Sequence, residues 1–315
     1  MEGRRVGNGT IVTEAYRAVC LAWGVRAKAA IIAAMPAATP PRAWIALHVA
    51  VFLFGSAGLF AKGLPLSAEA LVFGRTAIAA LALWLWLRWR PEAGRFRGLS
   101  LLAGPLLAVH WLSFFVAIQV SSVAIGLMGY ASYPMFAAVL AVFGGERPKR
   151  ADWVCAGVVT LGLVVLVPHW RFGDSTLIGL AWGVLSGFSF AVLASINRRI
   201  SRSSGPVRLA MAQNAIAAFC LMPFVDGVMP GSATQWLWLI ALGVVWTALA
   251  HTLFIASLRH VPPQTAAVVA SLEPVYGIAL AAMLFAELPG MREWIGGVLI
   301  IGVTVWTTLR RPSGA

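Results

Sequence analysis

The chain has 315 residues, of which 60 % are hydrophobic and 11 % charged, with a mean hydropathy of +0.84. Soluble domains carry about 25 % charged residues, so the composition excludes an ordinary soluble enzyme and points to a membrane-embedded protein. The net charge of +13 lies in short stretches between apolar runs instead of on one polar domain, which argues against a nucleic-acid partner, and Cys20, Cys155 and Cys220 have neither disulfide nor metal-site spacing.

In chain order, residues 1–41 stand apart. The segment from Ala15 to Ala34 is apolar in patches but carries Arg17, Arg26 and Lys28, so it reads as a loose or interfacial extension, with Met35 as an alternative start. Ten apolar spans follow at 43–61, 66–88, 99–119, 122–143, 151–168, 176–197, 207–225, 235–257, 264–286 and 293–309. Their lengths approach the roughly 20 residues a helix needs to cross a hydrocarbon core. Trp44, Trp89, Trp153, Trp236, Trp294 and Trp306 sit near the ends of these runs, the depth that amphipathic rings prefer.

The connections decide orientation. One side receives the N-terminal arm, Arg88, Arg90, Arg95 and Arg97, then Arg147, Lys149 and Arg150, then Arg198, Arg199, Arg202 and Arg208, then Arg259, Arg310 and Arg311. The other receives Lys62, Arg171 and Arg292. The positive-inside rule then predicts that both termini are cytoplasmic.

The two halves repeat. Ala43-Trp44 opens the first span and Ala181-Trp182 the sixth; Arg75-Thr76-Ala77-Ile78-Ala79-Ala80 answers Gln213-Asn214-Ala215-Ile216-Ala217-Ala218; His110 matches His251. Ser132-Tyr133-Pro134 in the fourth span corresponds to Leu272-Glu273-Pro274 in the ninth. Five spans per half is an odd number, so the second half is predicted to be inverted relative to the first, as in carriers that bind cargo near the midplane. The expected domains are thus 1–41, a first five-helix repeat over 42–170 and a second over 171–315. The expected fold is an all-α integral membrane bundle of ten transmembrane helices.

Polar residues within the spans are the candidate site. Glu273 sits mid-span beside Pro274, where a charge costs about 2.5–3.5 kcal/mol on insertion scales and the proline frees a backbone carbonyl. It is either a site for a substrate amine or a proton, or a structural partner of Arg75. Arg75, at similar depth, either binds a substrate carboxylate or pairs with Glu273 or helix carbonyls. Together they would form a clamp for a zwitterion. His110 and His251 are either cavity groups able to couple protons or interhelical hydrogen-bonding groups. Trp111, Tyr130, Tyr133 and Tyr276 either line an aromatic pocket or pack. Gln213 and Asn214 offer neutral hydrogen bonds, to substrate or between helices. Pro134 and Pro274 are the expected helix breaks, and Gly55, Ser56, Gly58, Gly126, Gly129, Gly183, Ser186 and Gly187 allow close helix approach. Glu146 and Glu287 read as structural or hinge groups at helix ends.

Ten spans in two halves, each with a proline in its fourth helix followed about twelve residues on by a glutamate (Pro134 to Glu146, Pro274 to Glu287), resemble the drug/metabolite transporter superfamily, EamA type, over about 42–310. The run Leu272-Glu273-Pro274-Val275 is similar to that of threonine/homoserine-type exporters, and the plan is similar to that of YddG-like amino-acid exporters. The resemblance implies an inner-membrane secondary carrier that exports small zwitterionic metabolites, foremost amino acids, by alternating access around a cavity not lined by the fifth and tenth helices. A drug or other metabolite exporter is the alternative. Energy from the substrate gradient alone or from protons stays open, as does the oligomeric state. No phosphate loop, HExxH or nucleophile elbow supports an enzyme, no filter segment supports a channel, and no metal or cofactor is expected.

Overall fold

The computed structural model describes residues 40–94, 98–143, 150–166, 173–201, 203–225, 227, 230–261, 266, 269–270 and 272–309. The expected extension up to residue 39, and Arg95, Arg97, Glu146, Arg147, Lys149, Arg171, Arg202, Arg310 and Arg311, lie outside them. The described elements are helical. The first half contains α1 (Pro41–Ala57), the short α2 (Phe60–Gly63), α3 (Ala68–Trp89), α4 (Gly98–Val120), α5 (Val123–Tyr130), α6 (Tyr133–Phe143) and α7 (Arg150–Leu166). The second contains α8 (Ser175–Ile200), α9 (Pro206–Leu221), α10 (Ala233–Gly243), a π-helical segment (Val244–Leu249), α11 (Ala250–Ser257), α12 (Glu273–Phe285) and α13 (Met291–Leu309).

Local sequence sets these boundaries. Ser67, Ser122 and Ser232 accept a hydrogen bond from the third residue of α3, α5 and α10, and Asp174 accepts two at the start of α8, satisfying amides that have no partner within the helix. Pro41 and Pro206 occupy first-turn positions, where a missing N–H costs nothing. Among the described residues, seven helical runs are long and apolar enough to cross a membrane: Pro41–Gly63, Ala68–Trp89, Ser100–Val120, Val123–Leu140, Ser175–Ile200, Pro206–Phe224 and Ala233–Ser257. The parts of the expected fifth and ninth spans that are described, Trp153–Leu166 and Glu273–Phe285, are shorter apolar helices.

Large apolar side chains such as Leu85, Leu101, Phe219, Leu237 and Met283 face outward, and Arg75, His110, Gln213, Asn214, His251 and Glu273 are buried. This inside-out polarity is what a hydrocarbon solvent selects. All six end-of-run tryptophans are exposed by more than a third. Helix α8 packs along α4, α5 and α6; α1 packs along α11 and α12. Helix α3 packs on α9 and α10, α9 also on α4, and α7 on α13.

Polar ties close the bundle at both ends. At one, Glu287 Oε1 accepts from the Val123 amide at 2.9 Å, Lys62 Nζ donates to the Ser121 carbonyl and Gln119 Nε2 to the Leu66 carbonyl. At the other, Arg198 donates to the Leu258 and Val261 carbonyls, Arg259 to those of Ser201 and Ser204, and Arg208 to those of Glu92 and Gly94.

Candidate functional site

Two interrupted helices deliver the first part of the site. Within the span expected over 122–143, with Pro134 as its expected break, the chain forms α5 and α6 with a turn at Ala131 and Ser132 between them. Pro134, second residue of α6, has no amide to offer the Tyr130 carbonyl, so the ladder stops there. Pro274 is likewise the second residue of α12. Tyr133 and Glu273 thus begin the two half-helices at matching positions. Tyr130, last residue of α5, donates its hydroxyl to Glu273 Oε1 at 3.2 Å and stacks on Tyr133 with centroids 5.4 Å apart.

Glycines let other helices cross these breaks at backbone distance. A Cβ on Gly55 of α1 would lie 2.6 Å from the Glu273 carbonyl oxygen, and one on Gly277 would lie 2.5 Å from the Gly55 oxygen. The other break is crossed in the same way, with a Cβ on Gly183 of α8 falling 2.9 Å from Gly129 Cα.

Arg75 is 1 % exposed. Its Nε donates to Thr247 Oγ1 at 2.8 Å and its Nη2 to the Trp246 carbonyl at 3.2 Å, while the guanidinium lies 4.1 Å from the Trp111 ring centroid. Both acceptors belong to the π-helical segment, whose wider turn shifts the hydrogen-bond ladder. Thr247 Oγ1 itself donates to the carbonyl of Leu242, five residues back. Trp246 Nε1 donates to Ser56 Oγ at 2.8 Å, joining this segment to α1 one residue from the Gly55 crossing. The Arg75–Glu273 pairing weighed from the sequence is not made: Arg75 is held by neutral oxygens, one of them a helix carbonyl, and Glu273 is 3 % exposed with Tyr130 as its partner among the described residues.

The histidines complete the wall. His110 Nδ1 lies 3.1 Å from the Ser186 carbonyl and 2.9 Å from Ser186 Oγ, and its ring packs 4.9 Å from Phe190. Asn214 Nδ2 donates to the Ala210 carbonyl at 2.7 Å and to His251 Nδ1 at 3.2 Å. His251 Nε2 is buried without a hydrogen-bond partner among the described residues, as are Tyr133 Oη, Asn214 Oδ1 and Gln213 Oε1.

One central cavity gathers Arg75, His110, Trp111, Tyr130, His251 and Glu273, with Phe54, Phe114, Phe190 and Asn197 among its other walls. Among the described residues, none of α7 or α13 lines it. Gln213 and Asn214 are buried behind the wall, where Gln213 Nε2 donates to Asn197 Oδ1 at 2.6 Å. Tyr276 stands apart, half-buried against Phe52 with centroids 5.4 Å apart. The cavity's free space is about 20 Å³, enough for roughly one water, so an organic cargo can enter only if the helices part.

Several contributors carried no signal in the sequence reading. Thr247 and Trp246 read as ordinary members of an apolar run, because a π-turn adds a residue without changing composition. Ser186 was noted only for its size. Asn197, one residue before Arg198, read as the end of a span.

The EamA-like transporter family matches the chain twice, at residues 42–167 and 177–309. An uncharacterized transporter of Archaeoglobus fulgidus is 27 % identical over 189 residues, covering 60 % of this chain and 68 % of that protein. The pseudopaline exporter CntI of Pseudomonas aeruginosa is 27 % identical over 242 residues, covering 75 % and 84 %. One crystal structure superposes with a TM-score of 0.64 at 23 % identity, covering 85 % of this chain and 98 % of that one, a likeness of fold. With both halves matched and a bundle of long apolar helices, the chain belongs to the EamA-like transporter family of the drug/metabolite transporter superfamily and is a multi-pass inner-membrane transporter.

Proposed function

We propose that this transporter is a secondary carrier that exports small zwitterionic metabolites, foremost amino acids, by alternating access. The observation that carries this reading is the pair Arg75 and Glu273. Both are fully buried at one cavity, each held by neutral groups and not by the other. Buried charges are stable when paired, and a zwitterion supplies both missing partners, its carboxylate for Arg75 and its ammonium for Glu273. The relative CntI, a pseudopaline exporter, supports the direction.

The transport cycle rests on a ten-span inverted repeat over 42–170 and 171–315 with cytoplasmic termini. Helix packing supports it. Exchanging the halves turns the pairing of α4 with α8 into that of α11 with α1, and the pairing of α5 and α6 with α8 into that of α12 with α1; α3 with α9, and α7 with α13, map onto themselves. A two-fold arrangement of this kind offers a second state in which the halves trade roles.

The test is counterflow in proteoliposomes preloaded with unlabelled amino acid, following uptake of the labelled form across a cargo panel with and without a pH gradient. Accumulation of one or more amino acids is the expected result. Its absence for all of them, with folded protein, overturns the amino-acid reading in favour of other metabolites or drugs.

A further inference from the structure

The two histidines occupy matching positions in the halves, yet their surroundings fix opposite roles on the cavity wall. A carbonyl oxygen only accepts, so His110 Nδ1, 3.1 Å from the Ser186 carbonyl, carries its proton and donates. Ser186 Oγ meanwhile donates to the His110 carbonyl at 3.0 Å. Neutral His110 therefore presents Nε2 as an acceptor. His251 is the reverse. The Asn214 amide is oriented by its bond to the Ala210 carbonyl, so it is the NH₂ group that meets His251 Nδ1, and Nδ1 accepts. The His251 proton is then on Nε2, a buried donor with no partner among the described residues. Trp111 spans the gap, 6.5 Å from the His110 ring and 5.6 Å from that of His251.

We infer that His251 Nε2–H and His110 Nε2 together read the cargo side chain, selecting zwitterions whose neutral side chain both accepts and donates a hydrogen bond: a primary amide or a hydroxyl. This deepens the reading of the same cavity and rests on it. Arg75 and Glu273 take the charged groups common to every amino acid, whereas the histidine pair discriminates among them. An aliphatic cargo of equal size leaves a buried donor and a buried acceptor unpaired, which is how a polar site rejects an isostere.

The experiment measures counterflow of two near-isosteric pairs, asparagine against leucine and threonine against valine. Wild-type protein is expected to prefer the polar member of each pair at least about tenfold. His251→Leu, which removes the donor, is expected to bring both ratios to about one, and His251→Gln, which offers an amide N–H at similar reach, to restore them. Should His251→Leu not fold, His251→Phe carries the test: it keeps an aromatic ring but has no N–H, and is expected to bring both ratios to about one. Equal counterflow of polar and aliphatic members by wild-type protein, or ratios unmoved by these substitutions, overturns the inference while leaving the zwitterion carrier intact. No counterflow of any amino acid overturns both.

Discussion

Arg75 and Glu273 were legible in the sequence because an ionisable residue deep in an apolar run is expensive and rarely idle. Their separation was not legible. The sequence left a mutual ion pair open beside a substrate clamp, and the structure gives each a neutral partner, Thr247 and Tyr130. The difference decides what substitutions do. Glu273→Gln keeps the size and the Tyr130 contact but removes the charge meant for a substrate ammonium. Charge-assisted hydrogen bonds contribute about 1.5–3 kcal/mol, so counterflow is expected to fall at least about tenfold, with monodisperse yield on size exclusion unchanged. Misfolding of this variant would instead identify Glu273 as structural. Arg75→Lys retains the charge but loses the fork that bonds Thr247 and Trp246 while facing Trp111. Its expected signature is a KM for cargo raised about tenfold, read from concentration-dependent exchange.

At the scale of elements, the existence of helices followed from apolar length, and the break at Pro134 from a missing amide. The π-helical turn at Val244–Leu249 left no trace, since its cause lies in what Thr247 and Trp246 bind and not in their own propensities. Glycine positions were visible, but their partners across the bundle were not. Gly55 is the sharpest case. Gly55→Ala forces a methyl group against the Glu273 carbonyl, and overpacking of this kind costs about 1–3 kcal/mol. A clear drop in the Tm of the detergent-solubilised protein is expected, whereas Gly98→Ala, whose added Cβ meets nothing within 4 Å, leaves it unchanged.

For the whole molecule, the family matches the chain at 42–167 and again at 177–309, and the proposed repeat was first visible as paired sequence motifs. The closed state was beyond sequence reasoning, because it depends on ties between segments far apart in the chain. Glu287 with Val123 holds one end and Arg259 with Ser201 and Ser204 the other. Loosening either should bias the molecule toward the state open on that side. In a cysteine-free background with one cysteine at Ala57 on the cavity wall, Glu287→Ala is expected to speed labelling by a membrane-impermeant maleimide from outside. Arg259→Ala is expected to speed it from inside. Equal rates from both faces would show that these ties do not govern access.

The crossings at Gly55 and Gly183 are contacts of main chain on main chain, whereas the groups proposed to meet cargo are side chains on the cavity wall. Motion and recognition are therefore written in different atoms. In the proposed cycle, a substitution at Arg75, His110 or His251 alters what is carried without touching the fulcrum about which the helices turn. Such a division lets one rocking scaffold be retuned to new cargo by a handful of side-chain replacements, while its mechanics are inherited unchanged.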